Sequence, residues 1–233
     1  MKTGFPRRAP AWAMLAAGLV LTGCGTSPPQ TFHLLTRYAA DVSPPQAGER
    51  AYGIAIGSIG LPDAVARPQL VISEIGSRLA IKEQQRWAEP LAADIGRALA
   101  ENLAQALPEA YVYSQAASAA TALPPRFRVS VDVQRFESRL RGQGAGAVLD
   151  TAWTVTELSS GRRQACRTLI RAPLRGRGYD GLVAAHQDAL ASLGERIGAM
   201  VAGVAAGQPV PATPADSYCQ RPPAPPASAG DTP

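Results

Sequence analysis

The chain has 233 residues, with 23 Lys+Arg against 18 Asp+Glu and a formal net charge of +5. At 46% hydrophobic and 18% charged residues it holds enough apolar material for a core, which excludes wholesale disorder and bounds the chain at one domain, two at most. The charge excess does not mark a nucleic-acid binder, because only Lys2 and Lys82 are lysines, the arginines are scattered singly or in pairs, and aromatics reach only 6%.

Lys2, Arg7 and Arg8 precede the uncharged apolar residues 9–21, which end in Leu21-Thr22-Gly23-Cys24. A basic head followed by a short apolar run is a secretory signal, and this run is shorter than the ~20 residues a membrane-spanning helix needs. The Leu-Thr-Gly-Cys ending resembles a bacterial lipobox, in which the chain is cut just before the cysteine and the thiol is acylated. Thr22 and Gly23 are small enough to lie extended in a protease groove, and only the thiol of Cys24 can form the thioether to diacylglycerol. Several acyl chains, palmitate among them, at about 0.8 kcal/mol per buried CH₂ make a firm anchor. Residues 1–23 are therefore expected to be a lipoprotein signal peptide, Cys24 the lipidation site, and residues 24–30 a lipidated tether. Residue 25 is Gly, not the Asp that in the enterobacterial sorting rule holds lipoproteins at the inner membrane. The expected destination is the periplasmic face of the outer membrane. Loss of Lys2, Arg7 and Arg8 leaves 20 basic residues against the same 18 acids, so the mature chain is close to neutral.

Residues 31–36 read as a short strand and 41–50, with Pro44-Pro45, as a loop. Residues 52–59 are Ile-rich and read as a buried strand stopping at Leu61-Pro62. Residues 69–75 and 78–82 alternate apolar with polar on either side of Gly76-Ser77, the pattern of a hairpin with a two-residue, Gly-first turn. Trp87-Ala88-Glu89-Pro90 opens a helix whose apolar residues, Leu91, Ile95, Ala98, Leu99 and Leu103, step by three and four. A brief strand follows at 111–114, then an Ala-rich loop to residue 125. Phe127, Val129, Val131 and Val133 alternate strictly, while Phe136 is out of phase, so a bulge is expected near Gln134-Arg135. Residues 148–158 and 162–170 are two further strands joined at Ser159-Ser160-Gly161, and residues 179–206 form a long helix with Leu182, His186, Leu190, Leu193 and Ile197 on one side. The last 27 residues, 207–233, hold eight prolines and read as an extended or disordered tail. The expected fold class is α/β (mixed α+β): a single domain, residues 31–206, with a central mixed β-sheet covered by two long helices.

Catalytic chemistry is hard to assemble from these residues. There are two histidines, His33 on a strand and His186 on the apolar side of a helix, where a packed side chain is the expected role. No His/Cys/carboxylate cluster has metal-ligand spacing, and no Gly-x-Ser-x-Gly elbow is present. Gly142-Gln143-Gly144-Ala145-Gly146 lies between two strands and lacks the helix a phosphate loop requires, so it reads as a hairpin tip. Neither a metal nor a cofactor is implied. Three cysteines are an odd number in an exported chain. With Cys24 acylated, Cys166 and Cys219 remain as a pair in an oxidising compartment, and a disulfide pinning the tail to a strand is expected.

Two segments, Gly60-Leu61-Pro62-Asp63-Ala64-Val65-Ala66-Arg67-Pro68-Gln69-Leu70-Val71 and Arg86-Trp87-Ala88-Glu89-Pro90-Leu91, together with the lipobox and the strand from Phe32, resemble the PqiC (YmbA) family of ABC-type transport auxiliary lipoproteins. The likeness runs from about residue 31 to 206 and includes Phe136-Glu137, Trp153 and Leu182-Val183-Ala184-Ala185-His186. The chain departs from the family at Ala64-Val65-Ala66, where relatives often carry a bulkier or acidic residue. The resemblance implies a non-enzymatic auxiliary subunit that needs no cofactor. Its partner would be the MCE-domain protein of a PqiB-like lipid conduit, docked at the outer membrane in support of membrane integrity. Phospholipid and a second copy of the chain are further partners open to it. Partner contact is expected from Leu61, Pro62, Arg67, Pro68, Gln69, Arg86, Trp87 and Glu89; the same segments also fit structural roles, with Trp87 in the core and Glu89-Pro90 as a helix start. The alternative function is a lipid-binding carrier that shields acyl chains in its own cavity.

Overall fold

The computed structural model describes residues 28–37, 51–113, 125–208 and 215–220. The signal segment, Cys24 and the Ala-rich loop at 114–124 lie outside the described residues, as does most of the proline-rich tail. Nine strands and two helices follow one another in the described chain: β1 (Thr31–His33), β2 (Tyr52–Gly60), β3 (Gln69–Ser73), β4 (Leu79–Trp87), α1 (Leu91–Ala106), β5 (Ala110–Tyr113), β6 (Pro125–Arg139), β7 (Gly146–Glu157), β8 (Arg163–Pro173), α2 (Gly178–Ala205) and β9 (Ser217–Cys219).

The strands divide into two sheets, a six-stranded one in the order β5-β2-β6-β7-β8-β9 and a three-stranded one in the order β1-β4-β3. This corrects the expected α/β architecture with one central sheet: three strand pairs are parallel, four are antiparallel, and the fold is α+β with two sheets. The physical reason is β4. Its second half, Glu83-Gln84-Gln85-Arg86, carries no apolar alternation, yet it continues to Trp87 because β3 pairs with one of its edges and β1 with the other. Periodicity marks a strand but does not name its neighbour, so β1 and β3 could not be assigned to a second sheet from their residues alone.

Apolar alternation positions the longer strands of the larger sheet. In β6, Phe127, Val129, Val131 and Val133 are buried on one face, the register against β7 slips between Val133 and Arg135, and Phe136 and Ser138 return to that face. One extra residue, Gln134, is what a bulge inserts. The two helices cover this face, α1 over β2 and β5 and α2 over β7 and β8, and they pack on each other. Leu99, Leu103, Phe127, Leu149, Leu182, Leu190 and Leu193 are fully enclosed between the layers, each contributing about 1.5–3 kcal/mol of burial. Close approach of the helices depends on small residues: a side chain at Gly194 would come within 2.7 Å of the Asn102 Cβ, and one at Gly198 within 3.1 Å of the Ala106 Cβ.

Smaller corrections have local causes. The β3–β4 turn is longer than two residues, with the Glu74 N–H donating to the Arg78 carbonyl across Ile75-Gly76-Ser77 and Gly76 at φ +75°. Trp87 ends β4, and the helix opens after Pro90, whose fixed φ suits the edge of a first turn. Within the segment read as tail, Ser217–Cys219 forms β9 against β8. No helix among the described residues is long and apolar enough to cross a membrane.

Candidate functional site

The two segments that carry the family likeness meet in space. The β2–β3 connection turns at Pro62, whose carbonyl accepts the Val65 and Ala66 N–H groups at 3.0 and 3.1 Å, and delivers Arg67-Pro68-Gln69 to the start of β3. Gln69 then stands opposite Arg86 at the end of β4. Trp87 donates its backbone N–H to the Pro68 carbonyl at 2.7 Å, and Ala88 donates to the His33 carbonyl at 2.9 Å. Gln69 Nε2 donates to Glu83 at 3.2 Å, and Glu89 is ion-paired with Arg97 of α1. Of the eight contact candidates, Pro68 is exposed while Leu61, Pro62, Arg67, Gln69, Arg86 and Glu89 are half-buried. Trp87 is 4% exposed, so its indole is packing and offers no surface. Arg67 Nε and Glu89 Oε1 are enclosed without a hydrogen-bond partner, leaving a donor and an acceptor unsatisfied at this junction.

Trp87 packs edge-on against Phe136, at 6.1 Å between ring centroids, and against His186, at 6.4 Å. Phe136 and His186 stack at 4.0 Å, and His186 Nε2 shares a 2.8 Å hydrogen bond with Ser138 Oγ. A Ser–His contact invites a catalytic reading, but the geometry argues for packing. Ser138 and His186 are buried, Nδ1 has no partner to orient the ring, and burial alone pushes the imidazole pKa down to about 3. A ring so reluctant to accept a proton is a poor general base at neutral pH. Among the described residues no group of three His, Cys, Asp or Glu is arranged to hold a metal ion.

The sequence reading missed what fastens the N-terminal segment. After β1 the chain passes to the helices: Asp94 of α1 accepts the Leu35 N–H at 2.8 Å and the Thr36 hydroxyl at 3.2 Å, while Gln187 of α2 donates to the Leu34 carbonyl at 3.1 Å. Arg37 closes the clamp on Asp188 at 2.5 Å. Burial raises the Asp94 pKa, opposed by the Leu35 N–H. One signal was available: Asp94 follows Leu91 by three and precedes Ala98 by four, which places it on the apolar stripe. His33 reaches Gln85 at 2.8 Å through Nε2.

Cys166 and Cys219 face each other across the β8–β9 pair and are joined by a disulfide. Around it, Arg196 of α2 binds Asp216 at 2.5 and 2.8 Å, holding that carboxyl below the usual range, and Thr168 links Ser217 to the Trp153 indole N–H. A groove of about 400 Å³ runs across the face of the large sheet away from the helices, beside Gly60, Asp132, Arg167 and Tyr218. A second, of about 720 Å³, lies between the β3–β4 and β6–β7 hairpins.

Comparison with known proteins assigns the family. A search of curated proteins finds no match. The chain shares its fold with the crystal structure of an uncharacterized protein (20% identity, 73% of this chain and 97% of that one, TM-score 0.58). It is also similar to protein XCC0632 from Xanthomonas campestris, of family DUF330 (14% identity, 76% and 98% coverage, TM-score 0.57). Residues 33–198, from the end of β1 to the last third of α2, match the family model described as ABC-type transport auxiliary lipoprotein component. The chain belongs to the ABC-type transport auxiliary lipoprotein component family.

Proposed function

We propose that the chain is an outer-membrane lipoprotein, anchored through Cys24, that serves as a non-enzymatic subunit of an MCE-type lipid-transport system and docks the periplasmic conduit at the outer membrane. The observation that carries this reading is the family match over residues 33–198; the lipobox at residues 21–24 supplies the anchor. In this reading residues 1–23 are removed on export, 24–30 are the tether, 31–206 are the working domain and 207–233 a proline-rich tail. The junction of Arg67-Pro68-Gln69 with Arg86 and Glu89 is its contact surface, exposed at Pro68 and half-buried at the other four residues. A short tether keeps the domain at high effective concentration beside the membrane, so modest contacts suffice to hold a partner there.

The test is co-purification from detergent-solubilised envelopes with a tag on the lipoprotein, alongside outer-membrane permeability in a strain lacking it. The expected result is recovery of an MCE-domain protein and increased permeability. A mature protein that fractionates as soluble, or unchanged permeability with no MCE protein recovered, overturns the reading.

A further inference from the structure

The direction of β1 says from which end of the domain the preceding chain arrives. β1 runs parallel to β4 with Thr31 beside Gln85, so the chain preceding Thr31 comes from the side of the β3–β4 turn. From Gln85 back to Leu79, the first residue of β4, is about 20 Å at ~3.3 Å per residue. Cys24 precedes Thr31 by seven residues, a reach of up to about 24 Å. The described chain thus enters β1 from the side of the β3–β4 turn, and a tether of this reach is long enough to let an anchored Cys24 sit beside that turn.

That turn has the surface a bilayer would meet. Ile75 at its tip is 89% exposed, and Leu79 and Ile81, two residues apart and so on one face of β4, are 53% and 43% exposed. Cations line the 720 Å³ groove beside Ile75: Arg78 and Lys82 from the hairpin itself, with Lys82 on the strand face opposite Leu79 and Ile81, and Arg141 from the β6–β7 turn. Among the described residues none of these three has a carboxylate partner, whereas Arg139 beside them is neutralised by Glu137 at 2.8 Å. Glu74 is the one acid lining the groove, which leaves an excess of positive charge around the apolar tip. A hairpin tip with exposed apolar side chains on one face and at its turn, and cations without carboxylate partners on the other, matches a surface with anionic headgroups over hydrocarbon.

We propose that the β3–β4 turn, through Ile75, Leu79 and Ile81 with Arg78, Lys82 and Arg141, rests on the anionic phospholipid surface of the bilayer that holds the N-terminal lipid. The proposal builds on the reading of Cys24 as the acylated residue. It fixes the domain's attitude: the Gln69–Arg86 junction, at the opposite end of the same hairpin from the Ser73–Leu79 pair, points away from the membrane and toward an incoming conduit.

The test places an environment-sensitive fluorophore on Ile75→Cys or, as a control, on Ser159→Cys in the exposed β7–β8 turn at the far end of β7. The mature lipoprotein is reconstituted into vesicles of phosphatidylethanolamine and phosphatidylglycerol doped with nitroxide-bearing lipid. Quenching at position 75 but not at 159 is the expected result. Arg78→Gln with Lys82→Gln should weaken the contact on the order of thirtyfold, about fivefold for each cation removed. Equal solvent exposure of both labels on anchored protein overturns the proposal and leaves the anchor intact. Shielding of position 75 only when an MCE-domain protein is added, without lipid quenching, overturns it in favour of a protein partner. Mass spectrometry of the Cys24 peptide reports separately on acylation; an unmodified Cys24 with position 75 still quenched removes the anchor reading and keeps the surface.

Discussion

At single residues, burial decides most of the chemistry. Asp94 combines a position on the apolar face of α1 with two hydrogen bonds to the segment after β1. Asp94→Ala would strand the Leu35 N–H and the Thr36 hydroxyl, a loss of about 1–3 kcal/mol, read as a lower melting temperature and faster hydrogen exchange at the Leu35 amide. His186, with its pKa depressed to about 3, stays neutral in the fold while an unfolded chain takes up a proton near pH 6.5. The unfolded state then binds more protons, so stability present above that pH is lost as pH falls toward 3, at up to about 1.4 kcal/mol per pH unit. Asp94, with its raised pKa, has the opposite sign: its contribution is present below the ordinary carboxylate value and is lost as pH rises through its folded value. Thermal melts of wild type and His186→Gln between pH 7 and pH 4 should separate the two, with the acid-side loss flattened in the variant. His186 was legible as a packed ring because it falls on the apolar side of α2. Asp94 went unread because its place on the apolar stripe names no partner, and the groups it holds lie 58 and 59 positions away in the chain.

Among the elements, strands with strict alternation and helices with clear stripes were readable, down to the bulge in β6, where a single out-of-phase aromatic gave the register slip away. What escaped was partnership: β4 beyond Lys82 is polar, half-exposed and held by both neighbours, so neither its length nor its sheet is written in its own residues. The candidate junction was legible as two segments but not as one place, because the pairing of Gln69 with Arg86 follows an irregularity in the β3–β4 register. The helix pair depends on its small residues. Gly194→Val should cost about 1–3 kcal/mol by forcing α1 and α2 apart, and Gly198→Ala less, since its neighbour is the lone methyl of Ala106; urea midpoints followed by circular dichroism check the order. For the disulfide, which spans 53 residues, loop-closure entropy gives about 4 kcal/mol. Cys219→Ser should lower stability by up to that amount and expose the Leu169 and Gln220 amides, which now donate to Asp216 and Ala165, to exchange.

Over the whole molecule, the β3–β4 hairpin joins the two functional proposals, with a turn for the bilayer at one end and the Arg67–Arg86 junction for a partner at the other. Arg67→Ala and Arg86→Ala are expected to reduce recovery of the conduit protein with little change in melting temperature, as both side chains are half-buried at the surface; a matching fall in melting temperature would assign them to structure instead. The large sheet ends at β5, only four residues long, and on the other side at β9, which covers the edge of β8. Short or covered margins deny foreign strands a template. The Cys166–Cys219 disulfide ties that cover in place covalently; without it, β9 would hold the β8 edge by backbone pairing alone, and residues 165–169 would be the stretch of the sheet most open to a foreign strand when β9 frays.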